Sequence, residues 1–223
     1  MPDFRFTKCG IAKVCEIFDW PREKTRTERC RYKMEPLEAT AIVLYRLATT
    51  SRWSEAEEVF GRTASALSEI FYETVEHVAA TKFHLIERFR GGLMARRAQR
   101  YAERIEAKGA PLSRYVGFID GTAVQIARPI RDQRVCYSGH KRLHCLKFQT
   151  ICTPDGLIYH VFGSVEGRRH DMTVYRMSGV DEALSKELLI SNVQYYIYGD
   201  PAYVHRGWLQ IGFRGSTLTE EQS

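Results

Sequence analysis

Long apolar runs are missing from these 223 residues: the longest is Ala41 to Tyr45, far short of the ~18 that a membrane span takes. The opening Met-Pro-Asp-Phe-Arg carries no apolar segment of a secretory signal. Membrane and secreted readings are therefore not expected. Cysteine is sparse, with six residues at 9, 15, 30, 136, 145 and 152, no Cys-x-x-Cys pair and no histidine at finger spacing. That excludes a zinc finger or a small disulfide framework and leaves reduced thiols in cytosol or nucleus. A strong excess of one charge is also lacking. Lys plus Arg number 33 against 27 Asp plus Glu, a mild basic balance that suits a polyanionic partner without demanding one. What is present is ordinary globular composition, 44% apolar and 27% charged, enough for a packed core.

Residues 1–110 hold 20 basic and 16 acidic groups and residues 111–223 hold 13 and 11, so charge does not mark a domain seam. Texture does. Helix-forming residues at helical spacing fill the first half, and Gly, Tyr, Ile and Val between turn signals fill the second. Lys108-Gly-Ala-Pro111 stops a helix and prevents its resumption. The expected division is an N-terminal extension over 1–30, a helical domain over 31–110 and a second domain over 111–223.

In the helical part, Leu37, Ala41, Leu44, Tyr45 and Ala48 form an amphipathic stripe after Pro36. Ser54 with Glu57 reads as a capping box opening a short helix that Gly61 ends. Leu67, Ile70, Phe71, Thr74, Val75 and Val78 continue at helical period, predicting a third helix to about Phe89. Three helices with a tight turn suggest a helix-turn-helix, and a plain helical bundle fits the same pattern. In a helix-turn-helix, Ser65, Ser68 and Tyr72 would meet DNA, with Glu69 an awkward neighbour for phosphates. The run Arg88, Arg90, Arg96, Arg97, Arg100 and Arg104 reads first as a solvated helix face and second as a phosphate surface.

The second half predicts a strand over Tyr115–Ala127, in which Gly121 permits a bulge or bend. Strands over Cys145–Cys152 and Leu157–Phe162 follow, joined by Thr153-Pro-Asp-Gly156 as an antiparallel hairpin. Helical sequence runs from Asp171 to Met177 and from Asp181 to Leu189, and a strand over Gln194–Tyr198 ends at Gly199-Asp200. This order opens a ribonuclease H-like fold of α/β (α+β) class, with the first and fourth strands parallel neighbours. Asp120 and Asp200 would then converge. Two close carboxylates repel and are stabilised by divalent cations, and Mg²⁺ or Mn²⁺ suits a hard oxygen site open to phosphate and water.

The motifs Phe118-Ile-Asp-Gly-Thr122, Tyr137-Ser-Gly-His-Lys-Arg142, Leu146-Lys-Phe-Gln149, Pro154-Asp-Gly156, Gly167-Arg-Arg-His-Asp171 and Tyr198-Gly-Asp-Pro-Ala-Tyr203 together resemble the Harbinger-type (PIF/Harbinger) DDE transposase nuclease domain. The likeness spans about 112–223, and the helical segment before it is similar to the region preceding that domain in the family. The resemblance implies a Mg²⁺- or Mn²⁺-dependent DNA endonuclease, a hydrolase of phosphodiester bonds acting by two-metal chemistry. Asp120 matches the family's first acidic ligand and Asp200 its second. The third, a glutamate on a later helix, has no counterpart by this alignment. Glu220 and Glu221 resemble the segment before that helix, so the nuclease domain is expected to be C-terminally incomplete.

Asp171 reads two ways, as an N-cap or as a further acidic residue near the metal site. Lys141, Arg142, Lys147, Arg168 and Arg169 could track DNA phosphates or be plain solvated surface. His140, His144 and His170 read as unliganded loop histidines rather than ligands. Loss of a final helix would expose one sheet face, which a second protein chain would have to cover. The function expected is a transposase-derived nuclease in the nucleus, with the cytoplasm as an alternative location. The competing reading is a catalytically dead DNA- or partner-binding protein of the same descent.

Overall fold

The computed structural model describes residues 5–20, 32–87, 89 and 91–212. The chain divides into two compact units, Met1–His84 and Leu85–Ser223. No described helix is long and apolar enough to cross a membrane.

In the first unit, α1 (Lys8–Phe18) precedes α2 (Pro36–Ala48), α3 (Trp53–Phe60) and α4 (Ala64–Lys82), and α5 (His84–Glu87) runs across the division. α1 lies within the stretch expected as an extension, and Thr7 caps it by accepting from the Gly10 N–H at 3.1 Å. Pro36 stands in the first turn of α2, where its missing N–H costs nothing. Gly61 ends α3 at φ 65°, a conformation that glycine adopts without strain. The Ser54–Glu57 capping box does not form. Arg52 is the N-cap of α3, and Glu57 Oε1 instead accepts from the Ala64 N–H at 2.6 Å, capping the next helix. Thr63 adds the Ala66 N–H of α4 at 3.3 Å. Ile42, Leu67 and Ile70 form the dry centre of the unit. α4 stops at Lys82 rather than near Phe89.

The second unit begins with α6 (Gly91–Ala95) and α7 (Ala98–Glu106). Then come β1 (Tyr115–Gln125), α8 (Gln133–Cys136), β2 (Tyr137–Ser138), β3 (Leu143–Cys152) and β4 (Ile158–Glu166). Last are α9 (Asp171–Ser178), α10 (Val180–Glu187), β5 (Leu189–Ile190), β6 (Val193–Gln194), β7 (Tyr196–Gly199) and β8 (Leu209–Ile211). The seam expected at residue 110 is therefore a turn inside this unit. Ala98 and Tyr101 of α7 belong to the same core as Val116, Ile151 and Ile197 of the sheet, and their burial ties the helix to the strands.

The fold is α+β with the expected ribonuclease H-like sheet. Its main path runs β2-β3-β1-β7-β8, with β4 paired to β3. β1–β3 and β3–β4 are antiparallel, and β1–β7 and β7–β8 are parallel. The Thr153–Gly156 turn joins β3 to β4 as its sequence predicts, with the Gly156 N–H donating to the Thr153 carbonyl at 2.9 Å. Register through Gly121 is unbroken, Asp120 facing Thr150 and Gly121 facing Gln149. The irregularity of β1 falls instead between Tyr115 and Gly117, on the β7 side. One face of β3, carrying Cys145, Gln149 and Ile151, is buried, whereas Phe118, Asp120 and Thr122 of β1 are exposed. The segment Leu218–Gln222, with Glu220 and Glu221, lies outside the described residues, as do Arg88 and Arg90.

Candidate active site

Two aspartates are positioned by strand pairing. Ile119 of β1 is in register with Gly199 of β7, so Asp120 and Asp200 follow a matched pair on neighbouring parallel strands about 4.8 Å apart. Both are exposed. One oxygen of each is held by a main-chain donor: the Gly121 N–H reaches Asp120 Oδ1 at 2.8 Å and the Ala202 N–H reaches Asp200 Oδ1 at 3.0 Å. Their second oxygens have no protein donor among the described residues.

Asp171 opens α9 but does not cap it. The N-cap residue is His170, whose side chain makes no capping bond, and Asp171 is the first helical residue. Its carboxylate turns to the sheet, where Lys147 Nζ donates to Oδ1 at 2.8 Å. Gly121 makes room for it, since a Cβ at 121 would come within 3.0 Å of Asp171 Oδ1. Successive strand residues point to opposite faces, so Asp171 lies over the Gly121 side of β1 and Asp120 projects from the other. Lys147, expected as a phosphate contact, is thus a partly buried partner of Asp171.

A cavity of about 480 Å³ is lined by Asp171, Asp200, Lys147, Arg168, Arg169 and His170, among others. Arg169 leans on Glu166 at 3.2 Å, and Arg168 is exposed on the rim. His140 also lines this cavity, whereas His144 packs edge-on against Tyr137 at the far end of β3. Lys141 and Arg142 are exposed at the β2–β3 turn. Among the described residues no group of three or more His, Cys, Asp or Glu side chains is arranged to hold a metal ion.

Tyr203 feels the charge of all three aspartates, and the sequence marks it only by its place in the Tyr198–Tyr203 motif. It is 1% exposed, and its hydroxyl has no hydrogen-bond partner among the described residues. Burial pushes its phenol well above the ordinary tyrosine range, and the charges of Asp171, Asp120 and Asp200 push the same way. The ring thus sits in the combined field of all three carboxylates and stays a neutral O–H. The Cys152 thiol is raised by burial and then by Asp120, in keeping with Cys152 standing opposite Phe118 on the Asp120 face.

Ser65, Ser68 and Tyr72 lie on α4. Ser68 and Tyr72 border a shallow cavity of about 200 Å³ together with Glu69, Glu73 and Glu76. Such a lining opposes a phosphate backbone.

The mixed sheet is consistent with what a comparison of the chain with known families finds. Residues 119–223 match the DDE superfamily endonuclease family. The match begins within β1, at Ile119, and takes in Asp120, Asp171 and Asp200; at the level of the family it supports a nuclease of transposase descent. DDE endonucleases generally use divalent metal ions, and a nuclease family points to DNA as substrate. Neither the curated proteins nor the solved structures yield a significant match.

Proposed function

We propose that the second unit is a metal-dependent DNA endonuclease of Harbinger type, in which Asp120 and Asp200 hold Mg²⁺ or Mn²⁺. The observation that supports this reading is the parallel pairing of β1 with β7, whose register ends with Ile119 opposite Gly199, one residue before Asp120 and Asp200 on the two segments. The donor set fits such an ion. Mg²⁺ keeps much of its water and takes one or two carboxylates together with substrate phosphate oxygens, and Asp120 and Asp200 each keep one oxygen without a protein donor. When bound, the metal supplies charge neutralisation at phosphorus and an acidified water.

The chain's own residues do the remainder. Main-chain N–H groups at Gly121 and Ala202 fix the carboxylate orientations. Lys147 compensates Asp171, so that the site carries two uncompensated carboxylates rather than three. Buried Tyr203, raised by burial and by the nearby carboxylates, stays neutral near neutral pH and adds no charge to the site. Exposed Arg168 extends positive charge along the rim, where phosphates would be attracted.

The test is nicking of supercoiled DNA with Mn²⁺ by the full chain and by Asp120→Asn. The expected outcome is nicking that falls by a factor of about 10² or more in the variant, the order expected when preorganised electrostatic stabilisation is removed. Nicking unaffected by Asp120→Asn refutes the assignment. A second reading, a DNA-binding protein without catalysis, is favoured by the lack of a three-residue ligand group among the described residues. Salt-sensitive DNA binding with no nicking would select it. Under either reading the proposed location is the nucleus.

A further inference from the structure

A second cavity lies away from Asp171 and Asp200, along α7. It measures about 580 Å³ and is lined by Arg100, Arg104, Lys108, Phe118 and Pro154, with others. α7 turns its small and apolar residues, Ala98, Tyr101, Ala102 and Ile105, into the core. Arg100 and Arg104 on α7 and Lys108 in the turn that follows it recur every four residues along one wall of the cavity, a span of about 12 Å at a rise of 1.5 Å per residue. All three are exposed and form no ion pair or hydrogen bond among the described residues. The one carboxylate in the lining, Asp155, is already engaged by Arg97 at 3.0 Å, Tyr101 at 2.7 Å and Thr153 at 2.6 Å. Glu103 binds Gln99 at 3.0 Å and does not line the cavity. The result is a wall of three free cations facing an aromatic ring that is 38% exposed.

Position gives this wall a meaning. Phe118 and Asp120 are alternate residues of β1, hence on one face and about 7 Å apart along the strand. We propose that this cavity is a groove for the DNA strand on which Asp120 acts, with Arg100, Arg104 and Lys108 along its phosphates and Phe118 against a base. The proposal rests on the nuclease reading for the identity of the polyanion. A strand of DNA presents one phosphate per about 3.4 Å of axis, so a span of about 12 Å matches three to four successive phosphates with three cations. Aromatic rings stack on any base, which makes such contacts tolerant of sequence. The groove would therefore position the strand rather than select a target site.

The experiment is a salt titration of DNA binding by fluorescence anisotropy, in EDTA so that no cleavage intervenes. The wild-type chain is compared with Arg100→Gln/Arg104→Gln/Lys108→Gln. A control triple, Lys8→Gln/Lys13→Gln/Arg52→Gln, removes three exposed cations of the first unit. With single-stranded DNA, each lost phosphate contact removes about 0.7 from the slope of log K against log salt. The groove triple is thus expected to lose about 2.1, so that between 50 and 200 mM salt the wild type weakens about 18-fold more than the variant. Phe118→Ala should weaken single-strand binding about tenfold with the slope unchanged. Thermal unfolding by circular dichroism checks that each variant is folded, as removal of unpartnered exposed side chains should leave it. An unchanged slope in the groove triple, an equal loss in the control, or no salt-sensitive binding by the wild type overturns the groove. The nuclease reading is judged apart from this, by whether Asp120→Asn abolishes nicking.

Discussion

Gly167→Ala places a single methyl group where the chain has no room. A Cβ at 167 would stand 2.5 Å from the Cys136 carbonyl oxygen, 2.5 Å from the Cys145 carbonyl oxygen and 2.6 Å from Cys145 Sγ. Two of these three obstacles are main chain, one at the end of α8 and one in β3, and Cys145 is fully buried. Neither carbonyl can swing aside as a side chain would. Each must retreat by about 0.5 Å merely to reach 3.0 Å, still a tight contact, and packed interiors transmit such displacements rather than absorb them. Overpacking by one methyl typically costs about 1–3 kcal/mol. Contact with two main-chain groups puts this case at or above the upper end, about 3 kcal/mol. Gly139→Ala is the matched control, because nothing lies within 4 Å of its added Cβ, and a surface change of that kind stays within about 0.5 kcal/mol. Urea unfolding of the full chain, followed by tryptophan fluorescence and by circular dichroism, measures both. The steric reasoning is refuted if Gly167→Ala unfolds within 0.5 kcal/mol of the wild type, that is, at the same level as Gly139→Ala.

Two further outcomes follow from particular contacts. Because Glu57 rather than Ser54 supplies the cap between α3 and α4, Glu57→Ala should destabilise the first unit by about 1 kcal/mol and Ser54→Ala by under about 0.5. The order of the two midpoints in thermal unfolding decides it. His160 is 2% exposed, and its Nδ1 has no partner among the described residues; burial lowers its pKa from 6.5 to about 4. Folded His160 is neutral while the unfolded chain takes up a proton below pH 6.5, so stability is lost as pH falls from 6.5 towards 4 and levels off below. At about 1.4 kcal/mol per pH unit the loss is roughly 3 kcal/mol. It should be absent from the pH dependence of His160→Gln relative to the wild type, and parallel curves for the two proteins would contradict it.

Much of the second unit could be read from the chain before any coordinates, for reasons that are local. Thr153–Gly156 is a turn by its own chemistry, and the runs on either side have strand composition, so β3 and β4 emerged with small errors at their ends. The parallel placement of β1 and β7 came from element order, and with it the neighbourhood of Asp120 and Asp200. What escaped depends on distant partners. β8 is three residues long, too short to show a period. α7 hides its buried stripe in alanines at 98 and 102 beside arginines, so it looked solvated all round, and the seam was set at the turn after it instead of before it. The Lys147–Asp171 pair requires the register of β3 and the start of α9 together, which no spacing along the chain reveals. α3 starts one residue before Ser54, with Arg52 at its N-cap, and Glu57 accepts instead from the Ala64 N–H across the turn, a contact that only the closed turn makes available.

The parallel contact of β1 with β7 has a temporal consequence. The β1–β3–β4 meander is contiguous and can form from nearby chain, whereas matching Ile119 to Gly199 closes a loop of 80 residues, which pays its entropy before any contact rewards it. During vectorial synthesis the meander therefore has all its partners well before β7 leaves the ribosome, and a nascent chain halted between β4 and β7 would already have its hairpins while Asp120 still faced open water. The segments that carry Asp120 and Asp200 become neighbours only when the sheet is closed, so the proposed site is assembled at the completion of the fold.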